Sequence, residues 1–111
     1  MIFADFYGPP SLFAGTMVPL QEGIAGVFRA RAEDVVLRRI EVDSDYPATE
    51  VWIELSSDEQ LARHGKELSQ TVTSIIQNAI PGDVWVLFRV VPLRYVYLNG
   101  EPRARGMATL E

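Results

Sequence analysis

The chain has nine arginines, and three of them, the adjacent Arg38 and Arg39 and the later Arg89, are candidates for binding a carboxylate. A guanidinium presents a planar fork of donors that matches the two oxygens of a carboxylate. Acidic residues that could pair with these arginines are also present, at Asp5, Glu50 and Glu54. Because the opposite charges are available within the chain, ion pairs account for the arginines more readily than a ligand does.

The chain lacks the residues that several kinds of reactive site require. The chain has no cysteine, which excludes a thiolate nucleophile, a disulfide framework and a cysteine-based zinc site. His64 is the only histidine, so we interpret it as a partly buried residue of a helix rather than as a metal ligand. No glycine-rich phosphate loop or Ser-His-Asp set is present. The sequence therefore predicts neither a metal nor a cofactor.

Composition indicates one cytoplasmic domain spanning residues 1–111. Apolar residues make up 48% of the chain, which is enough to form a core. The net charge of −5 argues against nucleic acid and anionic membranes as partners. The longest apolar run, residues 84–93, contains Arg89 and Pro92 and is far shorter than the roughly 20 residues of a membrane span. Residues 1–10 lack the basic start of a signal peptide.

Four segments have the composition of strands. Residues 2–7 are rich in aromatic side chains, and residues 35–42 are rich in β-branched ones. Residues 50–55 alternate, which places Val51, Ile53 and Leu55 on one face. Residues 83–91 form a fourth apolar segment after a Pro-Gly turn. A short extended segment, residues 95–98, and an Asn99-Gly100 turn follow it.

Two segments have helical periodicity. Apolar residues recur at helical spacing over residues 11–28, with Ser11 as a possible N-cap, but Pro19 lies inside this run. Proline removes a backbone donor, so we expect either a kink near Val18 or a break with Pro19 opening a second segment. The second helix begins at the capping box of residues 57–60 and stops before Pro81.

This order of elements predicts an α+β, two-layer β-α-β-β-α-β fold. One four-stranded sheet would carry both helices on one face, because each β-α-β crossover is right-handed. The other face would hold two tryptophans among charged residues, which suits neither solvent nor a core. We predict that it is a subunit interface, with the first helix or the tail covering the tryptophans as the alternative. The predicted interface residues are Asp5, Glu50, Trp52, Glu54, Trp85 and Arg89, together with Arg38 or Arg39.

Residues 46–102 carry a resemblance to a known group of proteins. The matching features are Tyr46-Pro47, the strand at residues 50–53, the helix at residues 60–76, the strand at residues 84–88, Pro92-Leu93 and residues 97–100. Together they resemble a family of small uncharacterised bacterial proteins of the tautomerase superfamily, distant relatives of macrophage migration inhibitory factor. The resemblance implies a homotrimer in which three sheets form a barrel with the helices outside.

The resemblance also implies an active site at the start of the first strand, where family members use an N-terminal proline as a base. Ile2 occupies that position here. Because isoleucine is large, we expect Met1 to be retained, and its primary amine could act as a base or form a Schiff base. An arginine of the second strand would hold a substrate carboxylate, and residues after the fourth strand would close a neighbouring pocket. The implied pocket consists of Met1, Ile2, Arg39, Tyr95, Tyr97 and Asn99, with Met1, Arg39 and Tyr97 as the catalytic candidates.

The sequence thus favours a homotrimer without proline catalysis that binds a small carboxylate-bearing molecule between subunits. One alternative is a ferredoxin-like regulatory or small-molecule-binding domain, which has the same order of elements. Another is an enol–keto tautomerase that uses the Met1 amine, so catalysis stays an open question.

Overall fold

The main sheet has four strands in the order β2-β1-β3-β4. The computed structural model describes residues 1–42 and 48–103. Its strands are β1 (Ile2–Gly8), β2 (Val35–Glu41), β3 (Ala48–Leu55) and β4 (Asp83–Val90). β1 runs parallel to β2, β3 runs parallel to β4, and the two central strands β1 and β3 are antiparallel. The predicted β-α-β-β-α-β order is confirmed.

The strand pairing also separates this fold from the ferredoxin-like alternative. In that fold each β-α-β unit is split by an intervening strand. Here the two strands of each unit are hydrogen-bonded neighbours, because β1 pairs directly with β2 and β3 directly with β4. The ferredoxin-like alternative is therefore wrong.

The first predicted helix is broken into two. α1 (Pro10–Phe13) and α2 (Met17–Phe28) are separated by three residues that include Gly15, whose φ of 79° lies in the left-handed region. Pro19 falls in the first turn of α2, where a missing backbone N–H costs no helical hydrogen bond. The predicted break is confirmed, and the alternative of a kinked continuous helix is wrong. The second helix begins at Met17, two residues before Pro19, where we expected it to begin.

The second predicted helix, α3 (Asp58–Ala79), begins where the capping residues place it. Ser57 Oγ accepts a hydrogen bond from the Gln60 backbone N–H at 3.1 Å. Gln60 Oε1 accepts a hydrogen bond from the Ser56 backbone N–H at 2.8 Å. In the usual capping box this second hydrogen bond comes from the N-cap residue itself, which here is Ser57. α3 ends before Pro81, as predicted.

The core lies between the sheet and the helices α2 and α3. Even-numbered residues of β1 and odd-numbered residues of β3 point into it, which confirms the predicted inward face of β3. The largest fully buried side chains are Phe6, Leu12, Leu20, Ile24, Val51, Ile53, Leu68, Val72 and Ile76. Packing the helices on this face leaves the opposite face of the sheet without a helix among the described residues.

The chain after β4 folds back as a small hairpin. A 3₁₀ turn at Leu93–Tyr95 leads into β5 (Tyr97–Leu98) and β6 (Glu101–Pro102). Asn99 and Gly100 connect these strands with φ of 53° and 81°, the positive values that a tight hairpin turn requires. The turn is confirmed, but Tyr95 belongs to the 3₁₀ turn rather than to the extended segment. Residues 43–47 (Asp-Ser-Asp-Tyr-Pro) have a composition that predicts a turn, and they lie outside the described residues.

Within residues 1–42 and 48–103, no helix is long and apolar enough to cross a membrane.

Candidate functional site

The uncovered face of the sheet brings together all of the predicted interface residues. Strand register places Asp5 beside Trp52, Glu50 beside Trp85, and Glu54 beside Arg89. Neighbouring residues across a sheet point to the same side. The six side chains therefore share one surface, which we call the open face.

Four charged residues of the open face form a cluster, which we call the charge quartet: Asp5, Arg38, Glu54 and Arg89. The Asp5 carboxylate accepts hydrogen bonds from both arginines, with Oδ2 3.2 Å from Arg38 Nη2 and 3.2 Å from Arg89 Nη1. Arg38 Nε makes a further bond to Asp5 Oδ1. Glu54 Oε1 lies 3.6 Å from each arginine. Two cations and two anions thus balance within one chain.

Aromatic rings hold the arginines of the quartet in place. The Arg89 guanidinium lies 4.6 Å from the centre of the Trp52 ring, and that of Arg38 lies 5.2 Å from the Phe3 ring. Desolvation of Arg89 opposes its charge, but hydrogen bonds to Tyr7 and Asp5 outweigh this and raise the pKa of Arg89 above its ordinary value. Arg89 therefore stays charged throughout the neutral range.

The structure distinguishes between the two adjacent arginines of β2. Register pairs Arg38 with Asp5 on the open face, whereas Arg39 pairs with the core residue Phe6 and points to the opposite side. Consecutive strand residues alternate between faces, so only one of the two can join the quartet. Arg38 is that residue.

Part of the open face is left exposed. Trp85, the third of the eight residues of β4, is 55% exposed. Its neighbour Glu50 accepts a hydrogen bond from the Trp52 indole N–H. A large aromatic ring on a flat sheet surface is well suited to contact with another protein surface.

A pocket of about 310 Å³ lies where β1 begins and β3 ends. Antiparallel register brings the first residues of β1 level with the last residues of β3, and the hairpin β5–β6 forms the opposite wall. The lining residues are Met1, Phe3, Glu54, Leu55, Ser56, Val91, Leu93, Val96, Tyr97, Leu98 and Arg103. The lining is mostly apolar, with a few polar groups at its edge, as in many small-molecule sites.

The two charged residues of the pocket differ in their partners. The Glu54 carboxylate is balanced by Arg38 and Arg89 of the quartet. Arg103 is fixed through its backbone, whose N–H donates to the Val96 carbonyl at 2.9 Å. Over residues 1–42 and 48–103, no carboxylate pairs with the Arg103 guanidinium. The Arg103 guanidinium is therefore a positive charge without an acidic partner among the described residues, and it lies in a pocket with the Met1 amine and apolar walls.

Solved structures share this architecture. A macrophage migration inhibitory factor-like protein from Entamoeba histolytica superposes with a TM-score of 0.73, covering 90% of this chain and 96% of its own, at 7% identity. A fused 4-OT, solved as a wild-type asymmetric trimer, has a TM-score of 0.67 over 93% of this chain and 96% of its own, at 18% identity. The chain has the tautomerase fold. A protein of unknown function from Vibrio cholerae also has a similar structure, with a TM-score of 0.71 over 91% of this chain and 86% of its own, at 14% identity. No protein-family model and no curated protein matches the sequence.

On this tautomerase fold, only two of the six predicted pocket residues line the pocket beside the first strand. Met1 and Tyr97 meet there. Ile2 is a core residue with 4% exposure, and Arg39 lies on the helix side of the sheet.

The other two predicted pocket residues belong to the tail. Tyr95 lies under the Arg94 guanidinium, 4.6 Å from it and outside the pocket lining. Asn99 forms the hairpin turn and is likewise not part of the lining.

The sequence does not predict that Glu54 and Arg103, two charged residues, line the pocket. From the sequence alone, Glu54 belongs only to the predicted interface, and Arg103 and Arg105 near the C-terminus are expected to be plain solubilising charges. The alternation of β1 and β3 places Phe3 and Glu54 on the same face, which is a signal available from the sequence. Nothing in the sequence indicates that Arg103 folds back toward Met1, because that depends on the hairpin. Arg105 lies outside the described residues.

The predicted helix residue His64 is buried, and its ring packs 4.9 Å from that of Phe28. Its Nε2 has no hydrogen-bond partner among the residues described. Within residues 1–42 and 48–103, no group of three His, Asp or Glu side chains lies close enough together to hold a metal ion.

Proposed function

We propose that the protein is a homotrimer of the tautomerase fold that binds a small carboxylate-bearing molecule beside Met1, without catalysis by a proline. The observation that carries this proposal is the pocket at the start of β1, with its apolar walls and the guanidinium of Arg103, which has no acidic partner among the described residues.

Self-association is supported by the open face. The charge quartet is neutral, so its burial leaves no unbalanced charge, and the exposed Trp85 supplies apolar area. The fused 4-OT of the same fold is a trimer. In this proposal the pocket, which shares Phe3 and Glu54 with the open face, lies at the boundary between subunits.

The chemistry of the pocket supports the ligand class. A volume of about 310 Å³ accommodates a small organic molecule, and the apolar lining favours a hydrophobic body. Because Arg103 has no acidic partner in the part of the chain that the structure describes, its guanidinium favours an anion, for which a carboxylate has the matching geometry. Tyr97 adds a hydroxyl at the same wall.

The residues at the start of β1 support binding rather than proline chemistry. None of residues 1–8 is a proline, and the first prolines, Pro9 and Pro10, follow the far end of β1. Among the described residues, no proline lines the pocket beside Met1. Ketonisation of phenylenolpyruvate, with a borohydride-trapped adduct on Met1, would instead establish the enzymatic alternative.

Phenylpyruvate is a suitable probe, because it joins an aromatic ring to a carboxylate. We expect Arg103→Ala to weaken its binding by at least about tenfold, since a hydrogen bond to a charged group contributes roughly 1.5–3 kcal/mol. The matched control is Arg94→Ala, which removes an exposed arginine of the same tail that does not line the pocket. Isothermal titration calorimetry measures both.

Equal affinities of wild type and Arg103→Ala would contradict the assigned carboxylate partner. Absence of phenylpyruvate binding by the wild type at millimolar concentration would contradict the proposed ligand class.

A further inference from the structure

Phe3 and Glu54 belong to two surfaces at once. Both line the pocket, and both contact arginines of the charge quartet on the open face. We propose that Glu54 couples the pocket to the open face, so that an anionic ligand in the pocket tightens the association of subunits. This inference rests on the proposed function, because it needs both the assembly and the ligand.

Glu54 is the least tightly held member of the quartet. Its carboxylate lies 3.6 Å from each arginine, whereas Asp5 approaches each of them to 3.2 Å or less. The Asp5 side chain is 7% exposed and that of Glu54 is 30% exposed. Glu54 therefore has room to turn between the pocket and the arginines, while Asp5 does not.

The direction of the coupling follows from charge. A carboxylate held by Arg103 repels the Glu54 carboxylate, which also lines the pocket, and this repulsion favours the Glu54 position nearest to Arg38 and Arg89. A hydrophobic body packed against Phe3 restricts the ring over which Arg38 lies. Both effects favour one arrangement of the charge quartet. That arrangement is the one buried between subunits in the proposed assembly.

Linkage makes the effect reciprocal. A ligand that binds the assembled chains more tightly than the free chain promotes assembly, and assembly in turn tightens ligand binding. Coupling between two sites is commonly fivefold or more, and we expect at least roughly fivefold here.

The test measures the association constant of the wild type by sedimentation equilibrium, with and without saturating phenylpyruvate. We expect phenylpyruvate to raise the association constant at least about fivefold. In Glu54→Gln the side chain keeps its size but loses the charge that the ligand repels. This variant should assemble more weakly, and phenylpyruvate should change its association constant by less than about twofold.

Glu50→Gln is the matched control. Glu50 lies on the same strand and the same face, but it neither lines the pocket nor contacts the arginines of the quartet. Glu50→Gln is allowed to change the association constant itself. Phenylpyruvate should nevertheless raise the association constant of this variant by the same factor as that of the wild type.

Three results would overturn the inference. The first is a wild type that assembles and binds phenylpyruvate but whose association constant is the same with and without phenylpyruvate. The second is a Glu54→Gln variant that keeps the full wild-type ratio. The third is a wild type that fails to assemble or to bind phenylpyruvate, which overturns the proposed function and this inference with it.

Discussion

Asp5 is the residue on which the charge quartet depends. It is 5% exposed and accepts hydrogen bonds from both Arg38 and Arg89. Replacing it with asparagine would leave Glu54 as the only anion beside two cations. An aspartate in this position therefore holds together the part of the open face that lies at the centre of the sheet.

We expect Asp5→Asn to lower the free energy of unfolding by about 2 kcal/mol. Breaking a fully buried ion pair costs about 3–5 kcal/mol, but the arginine side chains are 48% and 36% exposed, so water compensates part of the loss. The control Glu59→Gln removes one partner of the surface pair with Arg63 and should cost about 0.5 kcal/mol or less. Urea unfolding at one fixed protein concentration measures both, and equal losses would refute the special role of Asp5.

At the scale of single residues, the sequence predicts surfaces better than pockets. Alternation along β3 and β4 is enough to place Glu50, Trp52, Glu54, Trp85 and Arg89 on one face. Whether Arg38 or Arg39 joins them depends on the register between β1 and β2, which spans the α1–α2 connection and has no local signal. The position of Arg103 depends on a hairpin that turns back on itself, so composition alone suggests only a surface charge.

Among the elements, α3 has the clearest local signals. Ser57 caps its first turn by accepting a hydrogen bond from Gln60 N–H at 3.1 Å, and Asp58 and Glu59 place negative charge at its N-terminus. Because these signals lie within four consecutive residues, its start is readable from the sequence. The break between α1 and α2 is harder to place, because Pro19 tolerates several positions in a first turn.

We expect Ser57→Ala to lower the free energy of unfolding by about 1 kcal/mol, since it removes the acceptor for an otherwise unpaired helix donor. Ser69→Ala is the control, because Ser69 Oγ donates only to the Lys66 carbonyl within the same helix. That change should cost less than about 0.5 kcal/mol, since alanine is the better helix former. Thermal unfolding followed by circular dichroism compares them. A Ser57→Ala variant as stable as Ser69→Ala would contradict the role of the cap.

At the scale of the whole molecule, the helices cover only one side of the sheet. The fold pairs a conventional core on that side with an open face that combines a neutral charge quartet and an exposed tryptophan. Neither feature needs a partner of opposite charge, so contact with two further copies of this chain satisfies both. Because the ion pairs form within one chain, added salt should weaken the assembly far less than it weakens an interface held by charges across it.

The central claim is that the open face assembles three chains. Sedimentation equilibrium at micromolar concentration measures this directly, and we expect a mass three times the 12.4 kDa of one chain. Trp85→Ser should weaken the association at least about tenfold, as loss of a large aromatic interface contact does. Tyr95→Ser removes an aromatic residue of comparable exposure (64% against 55%) away from the sheet and should leave the mass unchanged. A wild-type protein that sediments as a monomer or a dimer would contradict the claim.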